Sequence, residues 1–311
     1  MTGSTRNRIL VESALLVAIS TLFCVLDAYV PVFALVYPLP IVVLVVRRGI
    51  RAGAWATVVT IAATSMFVGP FQGLLVLTKV GIIGITLALC IRKQFSPIKT
   101  LAITAIAVAV SMALVVGFNL LIGGFGVEET WNLMKKSMDS AIEFYRQMGL
   151  SESEISRMET YLSQLMETAR IVLPASLFMV VVTVAGFNYL MARLILGKLG
   201  YKMVDLKPFS KWRLSWHYGW GYVGGLVLVT AGQVAANPLI SKIGTNIMSV
   251  FSMIFLVQGA AVAWHFFDRY NLRSIARWLI IIFAILNPIL LQILSWVGVL
   301  DAWLDFRKLS S

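Results

Sequence analysis

Lys79 interrupts the apolar run GLLVLTKVGIIGITLALC at residues 73–90. It lies eight residues into a candidate span at 71–91, about 12 Å from its start at 1.5 Å rise per residue. An ionised side chain at that depth of a bilayer costs about 2.5–3.5 kcal/mol on insertion scales, so it must face protein or water and be answered there. Asp27, at the outer end of the first apolar segment, matches Lys79 in depth, whereas Glu12 stands near that segment's inner end. Two roles fit the pattern. One is a structural Lys79–Asp27 ion pair; the other is a Lys79 that lines an outward-opening pocket for an anionic or polar small-molecule ligand. Gln72, at the start of the same segment, and Asn287, which precedes Pro288 in a late apolar segment, are the further candidate contacts in the second role. Proline inside a span frees carbonyls, and such broken segments often carry transporter sites.

The remaining intramembrane polar residues, including Asn119, Asn188, Asn237 and Gln258, read as interhelical hydrogen-bonding groups. His265 and Asp268 lie three residues apart, which allows either a proton-relaying pair or a histidine simply bonded to that aspartate near the interface. No enzyme signature is present: HExxH, GxSxG, P-loop and paired intramembrane aspartates are all missing. Cys24 and Cys90 both sit in apolar segments and no CxxC or Cys/His cluster accompanies them, so neither a metal nor another cofactor is expected.

These residues sit in a chain of 311 residues that is 59% hydrophobic and only 13% charged, against about 25% charged in soluble proteins. Its mean hydropathy is +0.87. Runs long enough to cross about 30 Å of hydrocarbon recur, and barrel-type alternation is absent. The expected fold is all-α, a polytopic transmembrane bundle of about eight or nine spans at 9–26, 30–46, 53–68, 71–91, 100–125, 170–193, 218–236, 243–267 and 278–300. The prolines at 31, 38 and 40 and Asn287-Pro288 mark the second and last of these as broken or re-entrant.

The net charge of +12 reads as basic cytoplasmic connections rather than a nucleic-acid surface. With the N-terminus inside, 17 of the 26 basic residues fall in cytoplasmic connections, which predicts a multi-pass protein of the bacterial inner membrane in contact with its lipid. Outside lies the stretch 126–168, with eight of the 14 acidic residues. Its apolar residues recur every three or four positions, and Ser151 with Glu154 forms a capping box, so an amphipathic helical hairpin is expected. The chain therefore divides into a six-span core at 1–196 carrying this insertion, a basic aromatic cytoplasmic loop at 197–217, and a C-terminal extension of two to three spans at 218–311.

The first hundred residues carry a resemblance. ESALLVAIS places Ala14 and Ala18 on one helix face, and YPLPIVVLVVRRGIRAGAWATVVTIAATSMFVGP joins a proline-rich entry, a basic glycine-containing turn and a second span. This pattern resembles the membrane-embedded substrate-binding (S) components of energy-coupling-factor transporters, and the whole chain looks like the YybS-like family of predicted bacterial membrane proteins, which is distantly similar to them. The S-component resemblance implies that Ala14 and Ala18 dock a transmembrane coupling subunit; ordinary packing within the chain is the alternative. It also implies a substrate-binding or transport component for a small polar solute. The rival function is a non-transporting scaffold that positions protein or lipid partners in the envelope, with Gly221 and Gly225 as a further docking face.

Overall fold

A computed structural model describes residues 3–124 and 126–308; Phe125, the last residue of the predicted 100–125 segment, and the final three residues of the tail lie outside them. Among the described residues the chain is helical throughout. The elements are α1 (Gly3–Asp27), a 3-10 turn (Pro31–Leu35), α2 (Leu39–Arg48), α3 (Ile50–Val68), α4 (Pro70–Val76), a π-helical stretch (Leu77–Ile82) and α5 (Ile83–Arg92). There follow α6 (Pro97–Phe118), a second π-helical stretch (Asn119–Gly123), α7 (Val127–Gln147), α8 (Glu152–Lys198), a 3-10 turn (Phe209–Lys211), α9 (Tyr218–Val234), α10 (Pro238–Arg269), α11 (Ser274–Leu286) and α12 (Pro288–Leu304). Two compact units result. One takes the chain up to Ser140 together with Val180–Asp205; the other takes Ala141–Met179 together with Leu206 onward.

Among the described residues, six helical runs are long and apolar enough to cross a membrane, or up to seven if the bent pair α11–α12 is one span. Two predicted spans explain the difference from eight or nine. Segment 30–46 is a 3-10 turn followed by the 10-residue α2, because prolines occupy its entry, and α9 has only 17 residues. Broken as it is, segment 30–48 still runs back along α1. Ser20 Oγ donates to the Tyr37 carbonyl at 3.2 Å, Arg48 reaches Glu12 at 2.8 Å, and Arg47 pairs with the same carboxylate. The chain thereby returns from the level of Asp27 to that of Glu12, about 22 Å along a helix axis.

In the first unit, α2 is buried over Leu39–Val45 and packs with Val76, Val80, Leu87 and Tyr189 in one core. A helix that is apolar all round belongs in such a place. Polarity is inverted relative to a soluble protein: Trp55, Met66 and Phe67 are exposed, while Ser20, Thr57, Thr60 and Asn188 are buried and donate to backbone carbonyls. This is the arrangement expected where hydrocarbon is the solvent and backbone and hydroxyl groups must be satisfied internally.

In the second unit, α12 packs along α10 in the same direction, with Ser295 on Ser252 and Asp301 on Gln258. Gly259 and Gly298 make the approach possible, since a Cβ on either would fall within 2 Å of the Leu294 or Phe255 carbonyl oxygen. The chain bends by 106° between α11 and α12. At the start of α11, Trp278 packs on Trp264, which itself meets Phe209; beyond the end of α12, Arg307 binds the Ser210 and Trp212 carbonyls. Both ends of the bent pair thus come back to the same turn, so residues 278–300 form a broken element, as Asn287-Pro288 predicts.

The predicted hairpin at 126–168 also takes a different form. α7 is the amphipathic first arm, but the second arm continues without interruption into the 170–193 span as the 47-residue α8. Ser151 caps its start as expected, with Ser151 N–H donating to Glu154 at 3.0 Å and Glu154 N–H donating to Ser151 Oγ at 3.4 Å. Pro174 does not end α8, because Asn246 of α10 repairs the ladder beside it. Asn246 Oδ1 accepts from Ala175 N–H at 2.9 Å, and its Nδ2 donates to the Ile171 carbonyl at 2.7 Å.

Candidate functional site

α4, the π-helical stretch and α5 form one run, Pro70–Arg92, that is 61% buried, whereas the other five candidate spans are 17–28% buried. Lys79 lies on the π-helical turn, where one extra residue per turn widens the helix and shifts side-chain directions. Its ammonium donates to Asp27 Oδ2 at 3.2 Å. The lysine side chain is 28% exposed and the aspartate 12%, so the pair is sheltered without being sealed.

Beside the pair is a cavity of about 20 Å³ lined by Cys24, Asp27, Tyr37, Thr64, Gln72 and Lys79. That is about the space for one water molecule. The Thr64 hydroxyl, 1% exposed, has no hydrogen-bond partner among the described residues and borders this space. The structure thus brings Asp27, Gln72 and Lys79 together around a polar pocket, and Asp27 rather than Glu12 answers the lysine.

Asn287 is not part of this group. It belongs to the second unit and caps α12, where its Oδ1 accepts from Ile289 N–H at 2.9 Å and Leu290 N–H at 3.3 Å. Asn237 does the same for α10. Both Asn-Pro pairs therefore read as N-cap followed by proline at the first helical position, the place where a missing N–H costs nothing. Asn119 and Asn188 donate to carbonyls one turn back in their own helices, whereas Gln258 does bond across helices. Asp268 is taken by Arg277, which leaves His265 without that carboxylate to itself.

Ala14 and Ala18 are exposed and line an apolar groove of about 820 Å³ between α1 and α3. Ala52, Ala56 and Ala63 face it from α3, with Trp55 and Phe67 as its bulky edges. Gly221 and Gly225 serve otherwise: a Cβ at Gly221 would strike the Phe251 ring, and one at Gly225 the backbone at Met248, so both are consumed by α9–α10 packing rather than offered as a docking face.

The second unit holds an ionic centre that apolar-segment reasoning missed. Asp301 and Arg307 are both 0% exposed, with Arg307 Nη2 at 2.8 Å from Asp301 Oδ2. Arg307 also donates to the Ser210 carbonyl at 2.8 Å and the Trp212 carbonyl at 2.7 Å, and Gln258 donates to Asp301 at 2.6 Å. Gln258 in turn accepts from Leu214 N–H at 3.2 Å, so the loop before α9, the middle of α10 and the tail are joined by one network. The only hint in the sequence is the opposite charges of DAWLDFR, six residues apart.

Comparison with known proteins agrees with the family reading. The chain is 22% identical to the protein named "Uncharacterized protein YybS" of Bacillus subtilis (strain 168), over 97% of this chain and 98% of that protein. No solved structure matches the chain. The family described as "Predicted membrane protein (DUF2232)" matches residues 18–302. That match spans both units, from the middle of α1 to the end of α12, and the chain belongs to this family of predicted membrane proteins.

Proposed function

We propose that the protein is a non-transporting scaffold of the bacterial cytoplasmic membrane, without a reaction of its own, whose α1–α3 groove seats a transmembrane helix of another membrane protein. The groove carries this reading. It follows α1 from Leu10 to Val25 and α3 from Ala52 to Phe67, about 22 Å of each axis, most of a bilayer's hydrocarbon depth. Its alanine floor lets a helix backbone approach closely, which is the main source of helix affinity in lipid. The Lys79–Asp27 contact supports the same reading, since the lysine is already answered and the space beside it is water-sized. The orientation proposed has the N-terminus in the cytoplasm, supported by the basic clusters at Arg47, Arg48 and Arg51 and at Arg92 and Lys93.

The test is a photocrosslinking side chain placed in turn at Ala14, Ala18 and Ala63 in intact membranes. The expected result is one and the same polypeptide captured from all three positions and lost when Ala56→Trp fills the groove. Adducts with lipid alone at all three positions would overturn the reading.

A second reading, a binding or transport component for a small polar solute, has its own supporting observation: the intramembrane lysine sits on a π-helical turn with Gln72, Tyr37 and Thr64 around it. The Lys79–Asp27 contact then represents its closed form. Native mass spectrometry of wild type beside Lys79→Ala separates the two readings. A small-molecule adduct present only in wild type favours the solute site; equal spectra with a less stable variant favour the scaffold.

A further inference from the structure

We infer that the end of the second unit at which α10 passes into α11 binds the phosphates of anionic lipids. Trp264, near the end of α10, draws that end together. Phe209 packs edge-on against it with ring centroids 6.1 Å apart, and Trp278 does so at 5.8 Å. The Arg277 guanidinium lies 5.9 Å from the same ring's centre. The turn Phe209–Lys211 and the first turns of α11 therefore meet at one indole. Four cations ride on these pieces. Lys207 and Lys211 flank Phe209, Arg269 is the last residue of α10, and Arg273 stands immediately before α11. All four are exposed.

Charge at this end does not balance within the protein. From Leu206 onward the chain has three acidic residues, Asp268, Asp301 and Asp305, against nine basic ones. Each aspartate already holds an arginine: Arg277, Arg307 and Arg213 respectively. Among the described residues the side chains of Lys207, Lys211, Arg269 and Arg273 have no such partner. Like charges gathered at the edge of hydrocarbon repel, and phosphates brought among them remove that cost. A zwitterionic lipid brings its own ammonium, for which no free carboxylate remains here, so an anionic lipid is preferred. The neighbours of these cations point to lipid rather than to a soluble polyanion. Tyr270, Ile275, Trp278 and Leu279 are all exposed. A polyanion in water offers them nothing, whereas a bilayer boundary takes the aromatic rings at head-group level and the aliphatic side chains below it. This inference is independent of the groove in the first unit.

The experiment is native mass spectrometry of the full chain released from nanodiscs holding equal phosphatidylglycerol and phosphatidylcholine. Wild type is compared with the double variants Lys207→Gln/Lys211→Gln and Arg269→Gln/Arg273→Gln, and with Lys242→Gln, a charge lost at the other end of α10. Wild type is expected to retain phosphatidylglycerol by about tenfold over phosphatidylcholine, each double variant by about threefold, and Lys242→Gln by the wild-type ratio. Thermal unfolding of the variants should match wild type, because the changed side chains are exposed, and each double variant reports separately should the other be destabilised. Equal retention of the two lipids by wild type would overturn the inference. So would a preference that either double variant keeps in full, or one that Lys242→Gln lowers as far, since net charge alone would then explain it. A further arm offers polyglutamate to the protein in detergent. Its binding without any lipid preference in the nanodiscs would assign this end to an acidic protein partner and overturn the inference as well.

Discussion

Lys79–Asp27 and Arg307–Asp301, one ion pair from each unit, both hold an aspartate against a cation, and they differ in almost every other respect. Lys79 and Asp27, in the first unit, share one contact at 3.2 Å, keep 28% and 12% of their side-chain surface, and border a small polar cavity. Arg307 and Asp301, in the second, are both wholly buried, and the guanidinium reaches two backbone carbonyls as well as the carboxylate. Guanidinium geometry explains the difference, since a planar fork with five donors can satisfy several acceptors at once whereas an ammonium is a flexible point charge. The first pair keeps room to separate or admit water. The second joins three segments and has no slack, which is what a structural clasp requires.

The largest effect should follow from opening the clasp. Arg307→Ala or Asp301→Ala strands a buried charge, and loss of about 3–5 kcal/mol is expected, read as a fall in unfolding temperature in detergent. Arg307→Lys should rescue little, because one ammonium does not replace contacts to Ser210, Trp212 and Asp301 together. Full rescue by lysine would break the distinction drawn between the two pairs.

A smaller change is expected at the sheltered pair. Lys79→Ala or Asp27→Ala should cost about 2 kcal/mol, below the range for sealed pairs because water reaches the remaining partner. Replacing both by leucine should bring stability back to within about 1 kcal/mol of wild type. A double variant no better than either single one would show that the lysine makes a further essential contact, and the two sites would then be alike.

The smallest effect belongs to the exposed end of the same series, the Ser151–Glu154 capping box. Hydrogen bonds from the Ser151 side chain and backbone hold the Glu154 carboxyl below its ordinary value of 4.5. A depressed folded-state value means that the stabilisation is complete above about pH 4.5 and disappears as pH falls through the lower folded value. The protection of amides in the first turn of α8, measured against unstructured amides at the same pH, should therefore fall on acidification in wild type, and Ser151→Ala should be less protected at neutral pH with a weaker pH dependence. Unchanged protection in Ser151→Ala would remove this cap from the series.

Several of these features were legible in the residues because they depend on local pattern or on depth. Hydropathy marks a helical membrane protein, the spacing of Ser151 and Glu154 marks a helix start, and the depths of Lys79 and Asp27 along their apolar runs predict their meeting. Asn287-Pro288 shows the limit of such reading. The same two residues mark a break in the segment, which the structure has, but that Asn287 caps α12 instead of facing a site is known only from the direction of its oxygen, toward Ile289 and Leu290.

The sequence alone determined the solvent of this protein and the local rules that follow from it: apolar helices, interfacial charges, and an acid for a lysine held in the membrane. Tertiary structure decided what depends on residues far apart in the chain. It placed Asn246 beside Pro174 so that α8 continues, wrapped Arg307 around the turn at Ser210–Trp212 so that the tail returns, and set α1 against α3 so that separate alanines became one groove. The physical reason is range. Helix periodicity, capping and burial of charge are set within a few residues, whereas a hydrogen bond between positions 71 or 97 residues apart exists only after the chain has packed.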